Sequence, residues 1–172
     1  MTTTTNNNGI QAAANAISPV EFIHALKEAY GIEKQHIMIL DEMIKVSSTG
    51  HLRALLEDHM DITEVQEKRI EEIFRIMNIN PSSARNSTIE SLVQLAEATL
   101  KSNSDNAAKD ASILNIAQKI EIFEMEFYKS LCTMSRVTGN VDIIEMLQAT
   151  YEEEEYVKTE MAAVAKNNLI NA

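Results

Sequence analysis

The sequence is poor in residues that cross-link or interrupt a chain. It has one cysteine, Cys132, so it offers neither an intrachain disulfide nor a cysteine-based zinc site. Two prolines and four glycines leave long stretches without a helix breaker. No apolar run approaches the roughly 18 residues of a membrane span, and the first residues lack the pattern of a signal peptide. We therefore expect a cytoplasmic protein with no membrane partner.

Positive charge is also scarce. Lys and Arg number 15 against 26 Asp and Glu, which gives a net charge of −11. We expect no nucleic-acid partner, because a chain of this charge is repelled by phosphates. Apolar residues make up 45% of the chain and charged residues 24%, as is typical of one globular domain. We predict a disordered, Thr- and Asn-rich tail over residues 1–17 and a domain over residues 18–168.

Apolar residues recur at helical spacing along four long segments, and no segment alternates as a strand does. The first segment begins at Ser18, which with Glu21 forms a capping box, and it ends at the SSTG stretch of residues 47–50. The second follows this stretch and ends before NINPSS at residues 78–83. These boundaries predict two long helices joined by a tight turn.

The second half of the chain repeats this arrangement. Ser87 and Glu90 suggest another capping box, which would open a short helix over about 88–101. A third long helix is predicted from about residue 105 to Thr138. Gly139 then suits the position after a helix end, and Asn140 suits the N-cap of the fourth long helix.

The lengths of the connections predict how these helices pack. Tight turns join the first helix to the second and the third to the fourth, so each pair should be antiparallel neighbours. About 27 residues separate the second long helix from the third, enough to travel along helices that are about 42 Å long. We predict an all-α, ferritin-like antiparallel four-helix bundle with a long crossover that contains a short helix.

Acidic residues interrupt the apolar faces of three of these helices. Glu121 and Glu124 lie one turn apart in QKIEIFEMEFY, residues 118–128, where their helical neighbours are mostly apolar. Glu33 and Glu154 have similar neighbours. Counted from the tight turns, all four lie about midway along the bundle. Buried carboxylates at one level cost on the order of several kcal/mol each unless protons or divalent metal ions neutralise them.

Histidine and tyrosine accompany these acids. His36 follows Glu33 by three residues, the Glu-x-x-His spacing of di-iron helices, but it also fits the edge of the apolar face. His59 faces inward on the second helix. A structural interpretation stays open for each: a hydrogen-bonded network for the acids and a satisfied core histidine for His59. Tyr128 is expected in the core, although a tyrosine near iron can also carry an electron.

Four segments resemble the long helices of the YciE/YciF family of ferritin-like proteins: EFIHALKEAYGIEKQ, HMDITEVQEKRIEEIF, AQKIEIFEMEFY and LQATYEEEE. The resemblance covers roughly residues 20–166. It implies a ferritin-like fold, a homodimer, a link to stress responses and a dimetal carboxylate site for iron or manganese. The positions that match acidic or histidine positions of the family, and so become the expected metal ligands, are Glu33, His59, Glu121, Glu124 and Glu154.

One departure from the family pattern lies on the second helix. The family typically has glutamate followed by threonine there, whereas this chain has Ile62 and Thr63. A missing carboxylate predicts a reduced site that holds one metal ion weakly, or none. Two functions therefore stay open: a metalloprotein that uses iron or manganese on oxygen or peroxide, and a metal-free bundle with a structural or interaction role. The sequence does not decide whether the protein is an enzyme.

Overall fold

A computed structural model describes residues 17–102 and 104–170, with side chains up to residue 166. The helices in these ranges are α1 (Pro19–Val46), α2 (Gly50–Ile76), α3 (Ser87–Leu100), α4 (Asn106–Ser135) and α5 (Val141–Ile170). A short 3₁₀ turn, Arg136–Thr138, follows α4. No strand is present among the described residues, and none of their helices is both long and apolar enough to cross a membrane. Apart from Ile17, the tail predicted over residues 1–17 lies outside them.

Side chains at the helix ends explain where α1 and α5 begin. Ser18 Oγ accepts a hydrogen bond from the Glu21 N–H, and Glu21 Oε2 accepts one from the Ser18 N–H at 2.7 Å. Gly139 has a left-handed φ of 61°, a conformation that glycine adopts without strain. Asn140 Oδ1 then accepts from the Ile143 N–H at 3.2 Å. These features confirm the first capping box and the predicted start of the last helix.

The predicted capping box at α3 is wrong. The N-cap is Asn86, whose Oδ1 accepts hydrogen bonds from two backbone N–H groups of the first turn at 3.0 and 3.3 Å. Ser87 is already the first helical residue. Glu90 does not close a box, because its carboxylate accepts hydrogen bonds from two guanidinium nitrogens of Arg85, each at 2.8 Å. Asn86 is itself a strong N-cap residue, so two adjacent residues compete for one position.

The crossover brings the chain back to the end of the bundle where α1 meets α2. Asp110, near the start of α4, accepts hydrogen bonds from the Ser48 N–H, the Ser48 hydroxyl and the Thr49 N–H, each at 2.9 Å. Since α2 ends at the opposite end of the bundle, the crossover spans its length. α1 packs along α2, α4 packs along α5, and α3 lies against α1 and α4. This is the predicted ferritin-like antiparallel bundle.

Gly31 lies where the crossover passes closest to α1. A Cβ at this position would stand 2.7 Å from the carbonyl oxygen of Ala84. The Ala84 N–H donates to the Lys27 carbonyl at 2.8 Å, which holds the two backbones together. Glycine in a helix interior costs about 1 kcal/mol relative to alanine, and this close approach explains why it is present.

A layer of polar side chains divides the hydrophobic core into two clusters. The first cluster, near the α1–α2 turn, includes Leu40 and Leu56. The second, at the opposite end of the bundle, includes Phe22 and Phe74. The polar layer between them consists of the buried side chains Glu33, His36, His59, Thr63, Gln66, Glu121, Glu124, Thr150 and Glu154.

Candidate metal centre

All four long helices contribute to the polar layer. The five residues singled out from the sequence as metal ligands all lie in it, and each is at most 2% exposed. Glu121 and Glu124 both face inward from α4 because residues three apart share one face of a helix. The same spacing brings His36 to the side of α1 that carries Glu33. His36 is 1% exposed and therefore belongs to the cluster, while its role as a metal ligand stays a prediction.

The two histidines face Glu121. His59 Nε2 lies 3.2 Å from Glu121 Oε1, and His36 Nε2 lies 3.7 Å from the same oxygen. The imidazole rings are nearly perpendicular, with centroids 4.7 Å apart. The other nitrogen of His36, Nδ1, lies 2.7 Å from Glu124 Oε2. One carboxylate oxygen and two ring nitrogens thus converge on one small volume.

A second convergence involves carboxylates alone. Glu121, Glu124 and Glu154 each offer an oxygen, and these oxygens lie within 4.8 Å of one another. Gln66 Nε2 donates to Glu154 Oε1 at 2.6 Å and so orients this side chain. Glu33 lies beside this group, and its Oε1 accepts a hydrogen bond from the Tyr128 hydroxyl. Glu121 belongs to both convergences.

Many polar atoms of this layer have no hydrogen-bond partner among the described residues. Eleven buried side-chain atoms are in this state, including both ring nitrogens of His36 and His59 and both oxygens of Glu121 and Glu124. His36 Nδ1 and Glu124 Oε2 are close, but they lack the angle that a hydrogen bond needs. Each unpartnered buried group costs about 1–3 kcal/mol. Convergent lone pairs of oxygen and nitrogen are the donors that a divalent cation would satisfy.

Burial controls the charges of this layer. It raises the pKa of the Glu33, Glu121, Glu124 and Glu154 carboxyls well above 4.5. Neighbouring carboxylates raise the pKa of Glu33, Glu121 and Glu154 further, while the Tyr128 hydrogen bond opposes the rise for Glu33. Burial also lowers the pKa of His36 to about 3 and that of His59 well below 6.5. Without a cation, the centre therefore favours neutral imidazoles and protonated carboxyls.

Ile62 lies outside the polar layer. It is half-buried and packs against the hydrophobic cluster near the α1–α2 turn. The next residue, Thr63, is fully buried and donates its hydroxyl to the His59 carbonyl oxygen at 3.0 Å. The inward polar positions of α2 are therefore His59, Thr63 and Gln66. The expectation that Ile62 leaves a reduced site, with one metal ion held weakly or none, stays a prediction, and a centre that holds two ions would contradict it.

Gln66 connects the buried centre to the surface, and it is not among the site residues predicted from the sequence. Its Nε2 lies 3.3 Å from Glu153 Oε2 as well as close to Glu154. Glu153 is 33% exposed, and two guanidinium nitrogens of Arg69 bind it at 2.7 and 2.8 Å. Arg69 also donates to Thr150 Oγ1 at 2.6 Å. The signal for Gln66 was its place on the inward stripe of α2, three residues after Thr63.

Comparisons with known proteins agree with the sequence resemblance. A family model described as "Domain of unknown function (DUF892)" matches residues 20–172. Protein YciF from Escherichia coli (strain K12) is 28% identical over 149 residues, which cover 86% of this chain and 90% of that protein. These matches confirm the YciF-type resemblance that the helix motifs indicated.

Solved structures give the same result for the fold. The crystal structure of the E. coli stress protein YciF matches with a TM-score of 0.82 and 27% identity, over 88% of this chain and 96% of that one. YcfI from Rhodopseudomonas palustris matches with a TM-score of 0.77 and 26% identity, over 87% and 96% of the two chains. A protein from Xanthomonas campestris pv. campestris is 14% identical and shares the fold alone, with a TM-score of 0.69 over 88% and 92%.

Proposed function

This chain belongs to the DUF892 family, and we propose that it is a metal-binding protein whose polar layer holds divalent transition-metal ions. Iron and manganese are the ions we propose, with a role in handling metal ions or oxidants. YciF, a relative by sequence and fold, is described as a stress protein, which supports this class of function. The observation that carries the proposal is the set of eleven buried polar atoms without a hydrogen-bond partner among the described residues, together with the two groups of side chains whose ligand atoms converge.

Charge supports the same proposal. Glu33, Glu121, Glu124 and Glu154 are fully buried, and together they carry four negative charges when ionised. Two divalent ions compensate these charges completely, and the neutral imidazoles of His36 and His59 add ligands without adding charge. Two divalent ions would therefore neutralise the polar layer even though residue 62 is an isoleucine and supplies no carboxylate.

The residues of the polar layer and of the clusters beside it would have different roles in such a centre. The carboxylates and imidazoles would bind the ions, while Gln66 orients Glu154 and Tyr128 orients Glu33 through their hydrogen bonds. The hydrophobic clusters on either side of the layer would limit the access of water. Bound iron or manganese supplies a Lewis acid that is able to change its oxidation state in contact with oxygen or peroxide.

A metal-free bundle with a structural or interaction role is the second candidate function. The observation that favours it is the raised pKa of the buried carboxyls, because a protonated carboxyl donates a hydrogen bond. An oxygen of Glu121 and one of Glu154 lie within 4.8 Å of each other, so these two carboxyls are the pair that we propose would share a proton in the metal-free protein. The cytoplasmic location and the homodimer stay predictions under either function.

Elemental analysis separates the two functions. We expect protein purified without a chelator to contain iron or manganese, and the Glu121→Gln/Glu124→Gln variant to contain neither, because the amides cannot supply anionic oxygens. Glu126→Gln is the matched control, since Glu126 lies on the same helix with 59% of its side chain exposed. Wild-type protein that carries no metal and gains no thermal stability from added Fe²⁺ or Mn²⁺ would favour the metal-free bundle.

A further inference from the structure

We propose that the two halves of the centre take chemically different ions, an inference that rests on the proposed function and deepens it. The nitrogen subsite consists of His36, His59 and Glu121, and the carboxylate subsite consists of Glu121, Glu124 and Glu154. The nitrogen subsite takes a borderline ion of the Fe²⁺ to Zn²⁺ range. The carboxylate subsite takes a hard ion such as Mn²⁺, and Glu121 bridges the two.

The spacing of the nitrogen subsite fits a small transition ion. Ligand atoms about 2.1 Å from a tetrahedral metal ion stand roughly 3.4 Å apart. The distances from Glu121 Oε1 to the Nε2 atoms of His59 and His36 are 3.2 and 3.7 Å, on either side of this value. Two imidazoles and one carboxylate supply three ligands and leave a fourth position for water or substrate, as in open zinc sites.

His36 also has a carboxylate next to its second ring nitrogen, as a metal-bound imidazole usually does. A ligating histidine usually presents its second nitrogen to a carboxylate or carbonyl, which fixes the ring and its tautomer. His36 Nδ1 lies 2.7 Å from Glu124 Oε2, although without the angle of a hydrogen bond, while its Nε2 faces Glu121. A carboxylate therefore stands next to the second ring nitrogen of His36, where a metal-bound imidazole usually has one.

The carboxylate subsite offers oxygen alone. Its three residues are at most 1% exposed, and Glu33 is a fourth buried carboxylate beside them. Carboxylate oxygen suits hard ions such as Mn²⁺ and Mg²⁺, whereas imidazole suits Fe²⁺ and Zn²⁺. The amide of Gln66 holds one oxygen of Glu154, and Oε2 of that residue has no hydrogen-bond partner among the described residues. The two subsites therefore differ in ligand type, oxygen alone in one and nitrogen with oxygen in the other, and this difference distinguishes hard from borderline ions.

The nitrogen subsite should also bind its ion more tightly. Affinity for a given set of nitrogen and oxygen ligands rises from Mn²⁺ through Fe²⁺ and Co²⁺, and Zn²⁺ also binds more strongly than Mn²⁺. A borderline ion therefore fills the nitrogen subsite first. Mn²⁺ enters the carboxylate subsite, because that subsite has no imidazole that would favour Fe²⁺ or Zn²⁺ over Mn²⁺. The centre then holds one tight and one weaker ion.

The test uses the full-length, chelator-treated protein with Zn²⁺ and Mn²⁺ as probes. Crystals grown with both ions are measured on either side of the zinc and manganese absorption edges, so that anomalous maps place each element separately. We expect zinc beside His36 and His59 and manganese among Glu121, Glu124 and Glu154. Both elements mixed at both positions, or zinc among the carboxylates, would overturn the inference and leave the proposed function standing. Binding of neither ion would overturn both.

Titration in solution gives a second, independent readout. His59→Gln should weaken Zn²⁺ binding at least tenfold and leave the Mn²⁺ electron paramagnetic resonance titration unchanged. His51→Gln is the control, because His51 lies on the same helix and is exposed. An equal loss of both ions in His59→Gln, with circular dichroism showing an intact fold, would contradict separate subsites.

Discussion

Tyr128 of α4 donates its buried hydroxyl to Glu33 of α1 and so joins the two halves of the bundle across the polar layer. Both side chains are completely buried. Because of this burial, bulk water does not compete for the bond. It is the only hydrogen bond of the Glu33 carboxylate among the described residues. The contact therefore stabilises the fold and orients a candidate ligand.

Tyr128→Phe removes this hydroxyl and leaves the ring in place. We expect the free energy of unfolding to fall by about 1–2 kcal/mol, because Glu33 loses its buried partner. Urea denaturation of the chelator-treated protein measures the change. Tyr156→Phe is the control, since Tyr156 is 61% exposed on α5, and it should leave the free energy unchanged. Equal stability of both variants would contradict the role assigned to the bond.

The pH dependence of the metal-free protein follows from the buried carboxyls. Burial raises their pKa above the unfolded value of about 4.5, so the folded state keeps protons that the unfolded state releases. Their contribution to stability is present below pH 4.5 and is lost as the pH rises through the folded pKa. His36 and His59 act in the opposite direction, because their lowered pKa removes stability as the pH falls below about 6.5.

A double variant isolates the carboxyl contribution. Glu121→Gln/Glu124→Gln keeps both histidines, so their effect cancels in a comparison with wild type. We expect the melting temperature of the variant, relative to wild type, to rise as the pH increases above about 4.5, because amides do not ionise. Calorimetry of chelator-treated samples at several pH values checks this. A difference that stays constant with pH would show that these carboxyls ionise normally in the folded protein.

Asp110 should stabilise the fold, and its contribution should depend on pH in the opposite direction to that of the buried glutamic acids. Burial acts to raise its pKa, but the hydrogen bonds from Ser48 and Thr49 outweigh this effect and lower it. Its contribution is therefore present above the unfolded value of about 3.9 and is lost as the pH falls through the folded pKa. We expect Asp110→Ala to cost about 2–3 kcal/mol at pH 7, since three donors of the α1–α2 turn lose their acceptor.

Urea denaturation at pH 7 and at pH 3 checks the Asp110 prediction. The difference between wild type and Asp110→Ala should shrink at the lower pH. Asp61→Ala, at an exposed position of α2, is the control and should change stability little at either pH. A loss that is equally large at both pH values would mean that packing, not the charged acceptor, explains the effect.

Gln66→Leu should weaken metal binding without abolishing it. Gln66 does not supply a ligand charge, but its amide holds Glu154, and outer-shell partners of this kind are typically worth 10–100-fold in metal affinity. Competition with a chromophoric chelator measures the affinity for Mn²⁺. Gln148→Leu, at an exposed position of α5, is the control. Unchanged affinity in Gln66→Leu would show that Glu154 needs no positioning, or that it is not a ligand.

The fold was predictable because its signals are local or depend only on length. The two tight turns and the long crossover decide the order of the helices, and Ser18, Gly139 and Asn140 mark helix ends by their own chemistry. The N-cap of α3 was predicted wrongly because Asn86 and Ser87 are both suitable N-cap residues. The choice between them depends on the ion pair of Arg85 with Glu90, which removes Glu90 from the capping box.

The candidate site was predictable only in part. Inward spacing on apolar stripes brought out Glu33 and Glu124, which lie at the centre of their stripes. His36 lies at the edge of its stripe, and only the packing of α1 against α2 turns it toward His59. The link from Gln66 to Glu153 joins different helices, and its register depends on packing that no single helix encodes.

The most direct test of the central claim is an anaerobic equilibrium titration of chelator-treated protein with Fe²⁺ or Mn²⁺, followed to saturation. The account predicts saturable binding of up to two ions per chain, one tight and one weaker, with release of protons as the buried carboxyls ionise. Glu121→Gln/Glu124→Gln should lose this binding, and Glu126→Gln should retain it. Wild-type protein that binds neither ion, or a double variant that binds both as wild type does, would contradict the account.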